Sequence, residues 1–160
     1  MTAKPKAPAS EARAPEPAPA PWLEDEARSL PMSLLRAREA VMQYFRPHHR
    51  RGDVTEQQWR VLRVLYTRGE MEVTELAERS FLLAPSLSRI LQQLEARDLV
   101  RRSAVADDMR RSRMSLAAKG LARVHQAVPK LEPIHREIAR RFGEDRLDQL
   151  FRLLAELEQA

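Results

Sequence analysis

Ser86, Ser88, Arg89, Gln92 and Gln93 are five hydrogen-bonding side chains without acidic charge. They recur on one face of a segment whose other face is Leu87, Ile90, Leu91 and Leu94. That spacing predicts one helix with a buried stripe and a polar stripe. Its opening, Leu83-Ala84-Pro85-Ser86, places Pro85 at the first helical position, where the missing N–H costs nothing. Further on, Arg101-Arg102 and then Arg110, Arg111 and Arg113, beside Asp108, concentrate guanidinium groups in a short stretch. Hydroxyls, carboxamides and arginine on a helix suit base edges in the major groove, and an arginine-rich loop suits the adjacent minor groove or phosphates. The chemistry implied is recognition of double-stranded DNA. Catalysis is not supported, because the chain has no Gly-rich phosphate loop, no Gly-x-Ser-x-Gly elbow and no cysteine. Neither an enzyme nor a cofactor is expected.

The elements needed to hold these residues can be read on either side. After Leu99-Val100, the returning segment alternates Ser112, Met114 and Leu116 with Arg111, Arg113 and Ser115, as a half-buried strand does. Met71-Glu72-Val73 is short enough for a third strand pairing with this hairpin. Thr74 is expected to cap a helix from Glu75 to Ser80 with Leu76 and Ala77 inward. Upstream, a helix runs from about Ser33 to His49. The next begins at Thr55 and ends near Gly69, with Gln58 completing a capping box and Val54 stapled onto Trp59. Downstream, Leu121, Val124, Val128, Leu131, Ile134, Ile138 and Phe142 repeat at three and four residues. Pro129 and Pro133 predict a kink or break between Val128 and Glu132. A last helix, about Glu144 to Glu158, presents Leu147, Leu150, Phe151, Leu154 and Leu157. These stripes exceed what a small domain can cover, so burial against a second copy, a homodimer, is expected. The fold class is mainly α with a small β-wing, a winged helix-turn-helix plus a helical dimerisation region.

At 160 residues the chain has room for one domain of ordinary size. Seven of its eleven prolines fall in the first 31 residues, which are poor in aliphatic side chains; residues 1–30 are therefore expected to be a disordered Pro/Ala-rich tail. A net charge of +5 and a pI near 10.2 favour a polyanionic partner. No stretch approaches the apolar length of a membrane span and no signal segment opens the chain, so a cytoplasmic, nucleoid-associated protein is expected.

Asp108-Met109-Arg110 in the hairpin, then Leu116, then Gly120, resembles the wing motif of the MarR family. Pro85 through Leu91, Leu94-Glu95 and Leu99-Val100 are similar to that family's recognition helix and its exit. Two positions depart from the family: Asp98 stands where glycine is usual, and Ala117 where a capping threonine is usual. Leu34 through Ala40, Phe45-Arg46-Pro47 and Thr55 through Arg60 resemble one branch, the regulators of homoprotocatechuate and related aromatic-acid degradation. The likeness covers roughly residues 32–158. It implies a single domain there, with the winged helix-turn-helix at about 55–116 and dimerisation helices at about 33–49 and 117–158. It also implies a repressor that binds a pseudo-palindromic operator and is released by a small aromatic or heteroaromatic carboxylic acid. Without cysteine, the branch that senses peroxides is excluded.

The family places its ligand between the first helix, the next one and the winged domain. Arg38 lies within the stripe of Leu34, Leu35, Val41, Met42 and Phe45, where a desolvated guanidinium needs a counter-charge. It either pairs with Glu39's surroundings or a partner carboxylate, or snorkels to water, or binds the acid's carboxylate through its rigid fork. With Trp59 as a flat wall and Met42, Phe45 and His49 beside it, these five are the candidate ligand residues. His48, His49 and His125 could instead hold a metal, although a site built from histidines alone is poorly furnished and none is assigned. Two other functions fit the same residues: a ligand-independent architectural DNA-binding protein, and a helical protein-interaction module with a basic hairpin.

Overall fold

The computed structural model describes residues 29–51, 53–105 and 108–160. Helix α1 spans Leu30–Arg51, longer at both ends than the expected Ser33 to His49. Helix α2 spans Glu56–Arg68 and starts on the expected capping box. Thr55 Oγ1 accepts from the Gln58 N–H at 3.2 Å, and Gln58 Oε1 accepts from the Thr55 N–H at 3.1 Å. There follow β1 (Met71–Glu72), α3 (Val73–Ser80), α4 (Ala84–Glu95), β2 (Val100–Val105), β3 (Asp108–Leu116), α5 (Ala118–Phe142) and α6 (Glu144–Leu157). The three strands form one antiparallel sheet in the order β1-β3-β2, with Met71 opposite Met114 and Val100 opposite Leu116. The third strand is thus present, though it ends at Glu72.

The core lies in the unit of residues 40–160. Val61 and Leu62 of α2, Leu76 of α3, Leu87, Leu91 and Leu94 of α4, and Met114 of β3 are fully buried together. Each such leucine contributes about 1.5–3 kcal/mol by leaving water. The predicted stripe of α4 is complete, since Ile90 joins the other three inside.

Two expectations are corrected. Thr74 caps nothing: α3 begins at Val73, directly after the extended Glu72, and no side chain caps it. The last strand residue already has the extended geometry that precedes a helix, so Thr74 falls inside the first turn. Nor does α5 break at its prolines, because one helix runs through Pro129 and Pro133. Both lie on the exposed face, opposite the buried Val124, Ala127 and Leu131. Water can satisfy the carbonyls of His125 and Pro129 that the prolines leave unpaired.

Helices α3 and α4 both end in a Schellman turn. After α3, the Leu82 N–H reaches the Ala77 carbonyl and the Phe81 N–H that of Glu78, each at 3.0 Å. After α4, the Leu99 and Asp98 amides reach Leu94 and Glu95, each at 2.9 Å. The left-handed position, usually glycine, is Phe81 (φ 51°) in one and Asp98 (φ 57°) in the other. Helix α5 starts from Ala117, which offers no capping side chain; its backbone N–H bonds the Leu99 carbonyl at 3.1 Å. One turn on, Gly120 faces that carbonyl so closely that a Cβ there would sit 1.9 Å from the Leu99 oxygen.

Helix α6 buries none of its residues, and Phe151 is 60% exposed. In the other unit, Leu30, Leu34 and Leu35 of α1 are also exposed.

Gly120→Ala is expected to cost at least ~2 kcal/mol, because the clash is with backbone that cannot rotate away. Asp98→Gly relieves a left-handed Cβ penalty and is expected to stabilise by ~1 kcal/mol. Urea unfolding of both variants beside the native chain measures the two changes.

Candidate nucleic-acid interface and ligand cavity

The N-terminus of α4 carries no side-chain cap and has Pro85 in its first turn. Its remaining first-turn amides point out of the helix end, the arrangement that attracts phosphate. Pro85, Ser88, Arg89, Gln92 and Gln93 are exposed and Ser86 is half-buried, so the predicted polar face is open to a partner. Arg89 makes no ion pair among the described residues. Gln93 differs from its neighbours: its Oε1 accepts from Gln58 Nε2 at 2.9 Å, across from α2.

Sequence reasoning missed the apolar edge of this face. The turn after α3 holds Phe81 84% exposed and Leu83 79% exposed, just before α4 begins. The only sequence signal was the run of large apolar residues Phe81-Leu82-Leu83, which reads equally as core.

In the wing, β2 and β3 pair from Val100–Leu116 out to Val105–Asp108. The side chains of Asp108, Arg110 and Arg111 lie outside the described residues. Arg113, expected to contact DNA, is engaged within the protein: its Nε meets Glu70 Oε1 at 2.9 Å and its Nη2 the Glu70 carbonyl at 3.3 Å. Arg102 likewise grips Glu95 through two nitrogens, at 3.1 and 3.0 Å, and donates to Ser112 Oγ at 2.9 Å. These pairs fasten the hairpin to β1's approach and to the last turn of α4.

Four of the five expected ligand residues, Met42, Phe45, His49 and Trp59, line one cavity of about 440 Å³ between α1, α2 and α5. Its volume lies in the range of small-molecule sites. Phe45 and His135 meet edge to face inside it, ring centroids 5.2 Å apart. Two arginines of α2 reach this cavity. Arg60 is committed, donating to Glu56 Oε1 at 3.0 Å and to the Ser80 carbonyl at 3.1 Å. Arg63 makes no ion pair among the described residues and is exposed. It stands one helical turn after Trp59 on the same face, which was the signal available in the sequence. Arg38, the fifth expected residue, is exposed and holds Glu39 Oε1 at 2.9 Å through Nη1, one of the alternatives foreseen for it.

A second cavity of about 480 Å³ shares His49 and Trp59 with the first and is otherwise lined by different groups, among them Tyr44, His48, Arg123 and Lys130. Burial, and then the positive charges of His49, Lys130 and Arg123, hold the His48 imidazole below its ordinary pKa. Sequence reading did not single out Arg123 or Lys130. The metal alternative loses its third histidine, because His125 packs edge-on to Tyr66 at 5.7 Å while His48 and His49 lie 5.8 Å apart. No group of three metal-ligating side chains forms among the described residues. No helix among them is long and apolar enough to cross a membrane.

Comparison with known proteins places this geometry. Residues 54–112 match the MarR family. The homoprotocatechuate degradative operon repressor of Escherichia coli is 41% identical over 128 residues, covering 80% of this chain and 86% of the repressor. The transcriptional regulator PA4135 superimposes with a TM-score of 0.79 at 42% identity, covering 81% of this chain and 96% of that one. NadR in complex with 4-hydroxyphenylacetate gives a TM-score of 0.75 at 32% identity, covering 81% and 95%. Sequence and fold agree, and the chain belongs to the MarR family.

Proposed function

We propose that this chain is a homodimeric transcriptional repressor of an aromatic-acid catabolic operon, released from its operator by a small aromatic or heteroaromatic carboxylic acid. The observation that carries this reading is the placement of Trp59. It lines the ligand cavity, while its neighbours Gln58 and Arg60 hydrogen-bond the recognition helix and the end of α3. A ligand that moves Trp59 acts on both halves of the helix-turn-helix through one rigid element. An architectural DNA-binding protein or a protein-interaction module has no use for such a cavity. The relatives support the same reading: one is named a degradative operon repressor, and one is a complex with 4-hydroxyphenylacetate. Such a repressor carries out no catalytic step and works in the cytoplasm, at the nucleoid.

On this reading α4 enters the major groove. Ser86, Ser88, Arg89 and Gln92 meet base edges or phosphates, and Phe81 and Leu83 supply apolar contact of the kind a thymine methyl accepts. Arg110 and Arg111 serve the minor groove or phosphates, with Asp108 shaping the turn, while Arg113 holds the wing in place through Glu70. The second copy covers the exposed apolar residues of α6 and of α1's first turns, and supplies the second recognition helix. The two helices must stay about one helical turn apart, ~34–36 Å, to reach successive half-sites.

In the ligand cavity Arg63 takes the carboxylate, Trp59 and Phe45 flank the ring, Met42 adds apolar contact, and His49 and His135 can bond a ring hydroxyl. Release requires that the acid bind the non-binding geometry better than the DNA-bound one, since equal affinity shifts nothing.

Operator affinity is expected to fall linearly with log salt, by roughly 0.9 per phosphate neutralised. Arg110→Ala should weaken binding about tenfold or more while the dimer persists. Fluorescence anisotropy with an operator duplex and sedimentation of the same sample check both; unaltered affinity would remove the wing from the interface. Arg63→Gln should leave operator affinity unchanged and raise the 4-hydroxyphenylacetate concentration needed for release about ten- to a hundredfold, the loss of one charge-assisted bond. Arg38→Ala, whose guanidinium is engaged by Glu39, is expected to cost less. Release titrations of the two variants decide which cation holds the acid.

A further inference from the structure

The second cavity carries positive charge, and the repressor reading uses only the two residues, His49 and Trp59, that it shares with the first. Two basic side chains of α5, Arg123 and Lys130, line it seven residues apart on one helix face, and no carboxylate lines it. A seven-residue separation sets their Cα atoms about 10.5 Å apart along the helix. Ala127 lies between them on the same face, with Trp59 across the cavity, so the middle of the site is apolar and its two ends are charged. Asp53 pairs with Arg123 and offsets this charge only in part. It is shared between Arg97, at 2.7 Å, and Arg123, so these two cations and one anion keep one positive charge. Lys130 makes no ion pair among the described residues. Tyr44, His48 and His49 of α1 add hydrogen-bonding groups opposite; burial first, and then the charges of His49, Lys130 and Arg123, lower the pKa of His48.

We propose that this cavity is a second binding site that takes a small dicarboxylate, one carboxylate on Arg123 and the other on Lys130, with the hydrocarbon between them against Ala127 and Trp59. Inorganic phosphate carries enough charge but has no apolar middle to lie against Ala127 and Trp59, so it fits poorly. A mono-acid satisfies one end only. His49 and Trp59 belong to both cavities, so the diacid and the aromatic acid act on the same two side chains of the protein. The site does not depend on the repressor reading, because it rests on this chain's charges alone.

Isothermal titration of the full-length protein without DNA tests it, using the series succinate, glutarate, adipate and pimelate, with inorganic phosphate and butyrate as comparisons. One diacid per chain should bind, with an optimum in chain length and at least tenfold tighter than phosphate or butyrate. Lys130→Gln, an exposed position, should weaken it about tenfold or more, and Arg123→Gln similarly. Arg63→Gln should leave it unchanged. Absence of diacid binding at millimolar concentration, an affinity unaltered by Lys130→Gln, equal affinity for phosphate, or loss of binding in Arg63→Gln would each overturn the assignment.

Discussion

The side chain of Gln58 is the joint on which the arrangement turns. It is buried, and both ends of its amide are used: the oxygen accepts from the Thr55 N–H that opens α2, and the nitrogen donates to Gln93 on α4. A buried carboxamide with one end unsatisfied costs about 1–3 kcal/mol. Helix start and recognition helix are therefore held to one another by the same group. Two residues on, Arg60 makes the equivalent connection to the Ser80 carbonyl at the end of α3. Helix α2 thus carries both parts of the helix-turn-helix by hydrogen bonds that flank Trp59, and fully buried Val61, Leu62 and Leu65 fix its opposite side in the core.

Charge is distributed by a different rule. Many arginines outside α4 form ion pairs within the protein: Arg102 with Glu95, Arg113 with Glu70, Arg97 and Arg123 with Asp53. Pairs at this exposure add little stability. What they contribute is position, holding the hairpin and the entry to α2 at defined places on the core. The exposed polar face of α4 keeps Arg89 out of such pairs, and the cavity beside Trp59 does the same for Arg63.

The parts of this molecule specified by local pattern were legible in the sequence. The stripe Leu87, Ile90, Leu91 and Leu94, the Thr55–Gln58 box and the Met71 strand all follow from spacing within a few residues, and the structure contains each of them. What was not legible depends on residues distant in sequence. Arg63, His135, Arg123 and Lys130 become site residues only when α1, α2 and α5 enclose a space, and no single segment signals that. Thr74 was misread because a strand can pass straight into a helix without a cap. The prolines of α5 were misread because their cost depends on which face meets water. Phe81 hid in an apolar run, although a left-handed turn exposes it.

Pro129 and Pro133 also make α5 unequally stiff along its length. Two successive turns lack an amide donor on the outer face, so the rod bends there for less work than elsewhere. The helix has 25 residues and is about 37 Å long, with this soft segment near its middle. Bending by ~10° there would swing an end about 18 Å away through some 3 Å, about a tenth of the ~34 Å that separates successive half-sites. Such a lever turns a bend too small to disturb the packed core into a displacement of some 3 Å at the end of the helix.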